Sequence, residues 1–348
     1  MIRKITFTRA SLLAALALTF QTAQAQDVHF TQFDAAPLIV NPANTGAFDG
    51  QWRAAGIYRN QWRSVTVPFV TYGASFDAPI INDLTHDDYL AAGVQLYNDK
   101  AGDGNLSNFS GLVSVAYHKF LGGTEEPNKS LSIGLQGGYA QKSIDLSRLY
   151  FGDEYVNGIF QQGTGAEQLN NKVNFFTVNT GIRWSHAIGD RFGYTIGAGA
   201  MNLNQPQESL QKKKASDVGL GIRYAAQAGA IAYLSDNFSL RPAVLYQTQA
   251  SANELVAGNE FHYVVNNAEV RAVATSVFLG GWYRSGDALM ISAGLEWKGV
   301  RMGVSYDYNT SSLKNASNGN GGFEISLRYI APNPLDFARR LVYPCSRF

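Results

Sequence analysis

From residue 50 onward, apolar and polar positions alternate with a period of two, the mark of strands whose successive side chains point to opposite faces. The run 322–330 shows it plainly: Phe323, Ile325, Leu327 and Tyr329 share one face, while Glu324, Ser326 and Arg328 share the other. Just before it, Val300, Met302, Val304, Tyr306 and Tyr308 oppose Arg301, Gly303, Ser305 and Asp307. Similar alternation marks Leu131–Gln136, Phe192–Gly197 and Val218–Tyr224, and helical spacing is scarce throughout. Runs bounded by turn residues predict strands at 51–60, 66–77, 89–97, 107–120, 130–143, 172–187, 191–202, 217–234, 237–248, 254–265, 274–284, 288–296, 300–310 and 322–330, an even set of 14.

The N-terminus reads differently. Arg3, Lys4 and Arg9 precede an apolar stretch, Ser11–Phe20, and then Ala23-Gln24-Ala25, the three parts of a secretory signal cleaved after Ala25. That stretch is shorter than the roughly 20 apolar residues a spanning helix needs, and no later run reaches about 18. An exported chain without such helices can cross a bilayer only as a closed β-barrel, where every ladder is paired and no edge is left. The expected fold is therefore all-β: a transmembrane antiparallel barrel of outer-membrane type with about 14 strands. Residues 1–25 form the signal peptide, 26–50 a lead segment, 51–330 the barrel and 331–348 a tail. A secreted sandwich or propeller also alternates. Aromatic residues at strand ends, the lack of disulfides and the absence of a repeat period favour the barrel.

Loop lengths agree in part with that reading, because such barrels pair short periplasmic turns with long outer loops. With a periplasmic start, the short connections at Gly189-Asp190, Ser235-Asp236-Asn237 and Lys298-Gly299 fall inside, and the long ones at 144–171, 203–216 and 311–321 fall outside. Residues 78–88, 121–129 and 266–273 are longer inner turns, and Ser285-Gly286-Asp287 is a short outer one. Residues 26–50 have no strand partner. They are expected to form an ordered periplasmic or lumenal segment, turned at Asn41-Pro42 and at Gly46, where φ > 0 is permitted. Trp52, Tyr58 and Trp62 belong to an interfacial belt.

Charge narrows the function. Lys plus Arg number 28 against 27 Asp plus Glu, a net charge of +1, so nothing recommends nucleic acid as a partner. One cysteine, Cys345, excludes an internal disulfide framework and a CxxC metal site. His29, His86, His118, His186 and His262 are too scattered for a zinc set, and no cofactor is expected. Asp99, Asp103 and Asn105 lack the spacing of a calcium loop and read better as a hairpin turn. No GxSxG elbow is present, so catalysis is not expected. Lys212-Lys213-Lys214 lies in an expected outer loop, either simply solvated or touching lipopolysaccharide phosphates or an acidic partner. Arg301, Asp307, Glu324 and Arg328 would be costly against lipid. They point into the lumen and pair across it, satisfying one another or holding a plug or passenger segment.

QDVHFTQFDAAPLIVNPANTG (26–46), YRNQW (58–62) and TYGASFDAPI (71–80), followed by GDALMISAGLEW, VRMGVSYDYNTSSL, GGFEISLRYI and PCSRF, resemble the PorP/SprF family. These are outer-membrane proteins of the type IX secretion and gliding systems of Bacteroidetes. The likeness spans essentially the whole mature chain. Departures are small: the family's GSHEI-like last strand stands here as GGFEI, and its CPRF-like ending as PCSRF. The resemblance implies a non-enzymatic component that supports secretion or surface anchoring of adhesins through their C-terminal domains and docks periplasmic ring or peptidoglycan-binding partners. It marks Asn41, Pro42, Gly46, Tyr58, Arg59, Gln61 and Trp62 as partner-binding or structural positions. A passive channel or hydrophobic-substrate transporter is the alternative, and an outer-membrane hydrolase with a Ser-His pair a more distant one.

Overall fold

The computed structural model describes residues 30–333 except 66, 86, 123–127, 152–153, 157–158, 161–168, 212–218, 267–273 and 313. The expected signal segment, Lys212–Lys214, His29, His86 and residues 334–348 of the tail, with Cys345, lie outside the described residues. Fourteen antiparallel strands form a closed barrel. In chain order they are β1 Arg53–Gln61, β2 Phe69–Asn82, β3 Asp88–Ala101, β4 Leu106–Leu121, β5 Lys129–Ser143, β6 Lys172–Ile188 and β7 Phe192–Met201. There follow β8 Arg223–Tyr233, β9 Phe238–Gln249, β10 Ala252–Asn266, β11 Thr275–Arg284, β12 Ala288–Trp297, β13 Val300–Asn309 and β14 Asn320–Ile330. Each pairs with its sequence neighbours, and β14 returns to β1 in unbroken register from Arg53–Ile330 to Gln61–Gly322. This is an outer-membrane barrel, and each run read from the alternation overlaps one observed strand.

The boundaries shift where proline interrupts the pattern. β2 continues to Asn82 instead of turning at residue 78, because Pro79 is absorbed by a register shift between Pro79 and Ile81. β8 starts at Arg223, later than residue 217. β3 includes Ala101, leaving a tight turn in which the Asn105 N–H donates to Gly102 O. We call the rim where β1 begins proximal and the opposite one distal. The distal connections include the long 144–171, 202–222 and 310–319, and the proximal ones include the tight 189–191 and 298–299.

Alternation divides the wall cleanly. On β13, Met302, Val304, Tyr306 and Tyr308 are exposed on the outer face, while Arg301, Ser305, Asp307 and Asn309 are buried inside. Tyr72, Tyr139, Tyr224, Tyr246 and Tyr283 sit outward near the distal strand ends, and Trp297, Phe192 and Tyr263 near the proximal ones. Aromatic girdles at both levels are what a membrane-spanning barrel presents to its two interfaces.

Residues 30–48 of the chain's own lead segment occupy the lumen. Residues Phe33–Ala35 form a 3-10 turn, Pro37–Val40 a single α turn and Pro42–Asn44 a second 3-10 turn. Pro37 and Pro42 suit the first position of a turn, where no amide hydrogen is needed. Asn41 joins the two: its backbone N–H donates to Pro37 O, and its Oδ1 accepts from the Ala43 N–H at 2.9 Å. Val40 packs with Met201, Leu245, Val256 and Met290 of the wall. Phe30, Ala35, Ala36 and Ile39 pack around Ile57. An apolar segment thus supplies the hydrophobic core of a polar lumen, each fully buried aliphatic side chain contributing about 1.5–3 kcal/mol relative to exposure.

Candidate functional site: the occupied lumen

Irregular backbone at membrane depth is tolerated only where protein satisfies its polar groups. Here the wall does so with side chains. The carbonyls of the lead segment accept from Gln136 Nε2 at Leu38 (3.3 Å), Arg223 Nη2 at Ile39 (3.0 Å), Arg53 Nη2 at Asn44 (2.9 Å) and the Tyr89 hydroxyl at Gly46 (3.1 Å). His118 Nε2 lies 2.7 Å from Thr45 O and Nδ1 lies 2.7 Å from Ser132 Oγ. A carbonyl only accepts, so Nε2 carries the hydrogen. The segment's amides are met by carboxylates: Thr31 and Gln32 donate to Glu324 at 2.7 and 2.9 Å, and Gly46 donates to Asp77 at 2.6 Å.

Three buried charge groups hold these contacts. Toward the distal rim, Arg59 bridges Glu324 and Asp307, the latter at 2.9 Å, and Arg284 reaches Asp307 at 3.3 Å. Thr31 sits among them, donating its hydroxyl to Asp307 at 2.8 Å and accepting from Arg59 at 3.2 Å and Arg284 at 3.1 Å. Toward the proximal rim, Arg301 binds Glu260 and Glu296, each at 2.8 Å, and lies 3.9 Å over the Phe278 ring. Arg53 grips Asp77 with two bonds of 3.0 and 2.7 Å. Charge-assisted, forked contacts of this kind are the strong members of their class.

Glycines let the segment come close. At Gly134 an added Cβ would collide with the Pro42 carbonyl, and at Gly181 with the Asn41 side-chain oxygen. Asn41 Nδ2 then donates to Ile182 O (3.0 Å) and Ala198 O (3.3 Å).

The expected site residues divide accordingly. Asn41, Pro42 and Gly46 lie in the lumen, Gly46 with φ +71°. The YRNQW run is split by the pleat: Arg59 and Gln61 face inward, whereas Tyr58 faces outward against Tyr72 at 5.2 Å. Trp62 stands past the strand end, with φ +57° and its ring 4.9 Å from Phe69. Arg301, Asp307, Glu324 and Arg328 do face the lumen, but they do not pair with one another. Arg301 and Arg328 are direct cross-strand neighbours of like charge, and both reach Asp34 of the lead segment, at 3.4 Å each. All four contact the lead segment: Arg301 and Arg328 through Asp34, Glu324 through the Thr31 and Gln32 amides, and Asp307 through the Thr31 hydroxyl. Sequence reasoning missed Arg53, Asp77, His118, Arg223, Glu260, Arg284 and Glu296. Carrying the inward phase of the alternation through every strand would have found them. Among the described residues no group of three or more His, Cys, Asp or Glu side chains is placed to hold a metal.

The barrel resembles that of CymD, a monoaromatic hydrocarbon channel, with TM-score 0.50 and 10% identity over 86% of this chain and 93% of that one. The Ralstonia pickettii toluene transporter TbuX follows at TM-score 0.47 and 9% identity, covering 85% of this chain and 94% of that one. At such identity the CymD likeness shows the fold alone. No curated protein matches the chain. The family model for the type IX secretion system membrane protein PorP/SprF matches residues 22–329, so the chain belongs to the PorP/SprF family.

Proposed function

We propose that this chain is a non-catalytic, plugged barrel of the type IX secretion system. In this reading it supports secretion or surface anchoring of an adhesin through that adhesin's C-terminal domain, and it docks periplasmic ring or peptidoglycan-binding partners. In the same reading residues 1–25 are a removed signal peptide, 26–50 the lead segment, 51–330 the barrel and 331–348 a tail. One observation carries the reading: side chains of the lumen wall bind the polypeptide backbone at Leu38, Ile39, Asn44, Thr45 and Gly46, a surface suited to gripping a peptide segment. The test is purification of the tagged protein from native outer membranes in mild detergent, with co-purifying proteins identified by mass spectrometry. Ring lipoproteins, peptidoglycan-binding proteins or a large adhesin are expected. Recovery of the barrel alone, together with conductance in planar bilayers, would replace this reading with the channel.

A further inference from the structure

Proline has no amide hydrogen, so inside a sheet it costs the neighbouring strand one ladder bond. Pro242 stands within β9 and keeps its partners in β10, in the unbroken series Arg241–Glu260, Pro242–Asn259 and Ala243–Gly258. Its nitrogen therefore faces β8. On that side the ladder runs as far as Gly229–Ala243 and resumes at Ala232–Leu240, and Ala230 and Ile231 are not paired across to β9. In this register Ala230 lies opposite Pro242, so its carbonyl points at a nitrogen with no hydrogen to give. Elsewhere in a membrane barrel such carbonyls are met by the next strand, because lipid offers no donor.

A cavity of about 140 Å³ lies against this gap, lined by Ala228, Gly229, Ala230, Pro242 and Ala243 of the wall, by Phe33, Pro37 and Val40 of the lead segment, and by Trp282. The charged side chains that also reach it are already matched: Arg53 with Asp77, Arg241 with Glu296, Arg301 with Glu260 and Arg328 with Asp34, while Arg183 has bonds of its own. A ligand here is therefore neutral. Arg241, next to Pro242 in the chain, has a buried Nε without a hydrogen-bond partner. The gap thus presents one acceptor and one donor, a pair that a single hydroxyl satisfies. An apolar cavity of about 150 Å³ accommodates benzene, so the volume admits one ring and excludes a peptide segment. We propose that this cavity binds a free, neutral molecule of one ring bearing a hydroxyl, a phenol in chemical class. Its hydroxyl donates to the Ala230 carbonyl and accepts from Arg241 Nε, and its ring rests against Val40 and Trp282. The inference goes beyond the secretion reading and stands without it, since the ligand is defined by the gap and the cavity.

Isothermal titration calorimetry on the full barrel in detergent tests it, with phenol against toluene, which has the same shape and a methyl in place of the hydroxyl. Saturable binding of phenol is expected, with toluene at least tenfold weaker. Pro242→Val supplies the missing amide hydrogen to Ala230, so phenol should lose its advantage and bind no more tightly than toluene. At Gly229 an added Cβ would meet nothing closer than 3.7 Å, and Gly229→Leu, which fills the cavity from that point, should abolish binding of both. Retention of the heat-sensitive gel mobility of a folded barrel is the control in each variant, and the comparison of the two probes on the parent protein needs no variant at all. Absence of saturable phenol binding, equal binding of phenol and toluene, or a phenol preference that survives Pro242→Val would overturn the proposal.

Discussion

Arg59 shows how a single side chain ties the ends of the sequence together, since its partner Asp307 is 248 positions away and Glu324 is 265. Its place on the inward face was legible from the alternation. Its partners were not, because a period of two assigns a side of the wall and says nothing about which charges meet across the lumen. Glu324→Ala leaves Arg59 buried against an acid it shares with Arg284, and takes the acceptor from two lead-segment amides. A loss of about 3–5 kcal/mol is expected, read as a lower urea midpoint for the folded gel band. An unchanged midpoint would show that the pair contributes nothing net. Glycines offer a paired comparison. Gly181→Ala drives a methyl into Asn41 and should expose the lead segment to protease, whereas Gly281→Ala, with no atom within 4 Å, should stay within about 0.5 kcal/mol of the parent.

At the level of elements, the strands were readable because each face has a fixed environment, lipid outside and polar lumen inside. Boundaries were missed where Pro79 and its register shift broke the pattern. The lead segment was recognisable by default, as a stretch with no strand partner, but its depth was not. Its seat is set by scattered contacts from β1 through β14, nearly all of them distant in sequence. Thr45 Oγ1 and Ser114 Oγ lie 2.8 Å apart, joining the segment to β4. In a Cys345→Ser background, Thr45→Cys with Ser114→Cys should form a disulfide on mild oxidation, detected as a mobility shift reversed by reductant. Failure to cross-link in the folded protein would mean that the segment does not rest there.

For the whole molecule, an occupied lumen predicts silence: the purified protein should give no conductance steps in planar bilayers, while a variant lacking residues 30–45 should give them. Steps from the intact protein would contradict the plug. Orientation follows from loop length. A cysteine at Ser64, in the distal connection after β1, should react with a membrane-impermeant reagent on intact cells, and one at Lys298 only after the outer membrane is opened. The seam between β1 and β14 has a consequence for biogenesis. It joins the two ends of the barrel sequence, with the Gln51 N–H donating to Ala331 O and the Ala331 N–H to Trp52 O. The ring cannot shut until its last strand arrives, so a chain cut short before β14 should leave β1 with a row of unpaired backbone groups, an open edge where the whole protein has none.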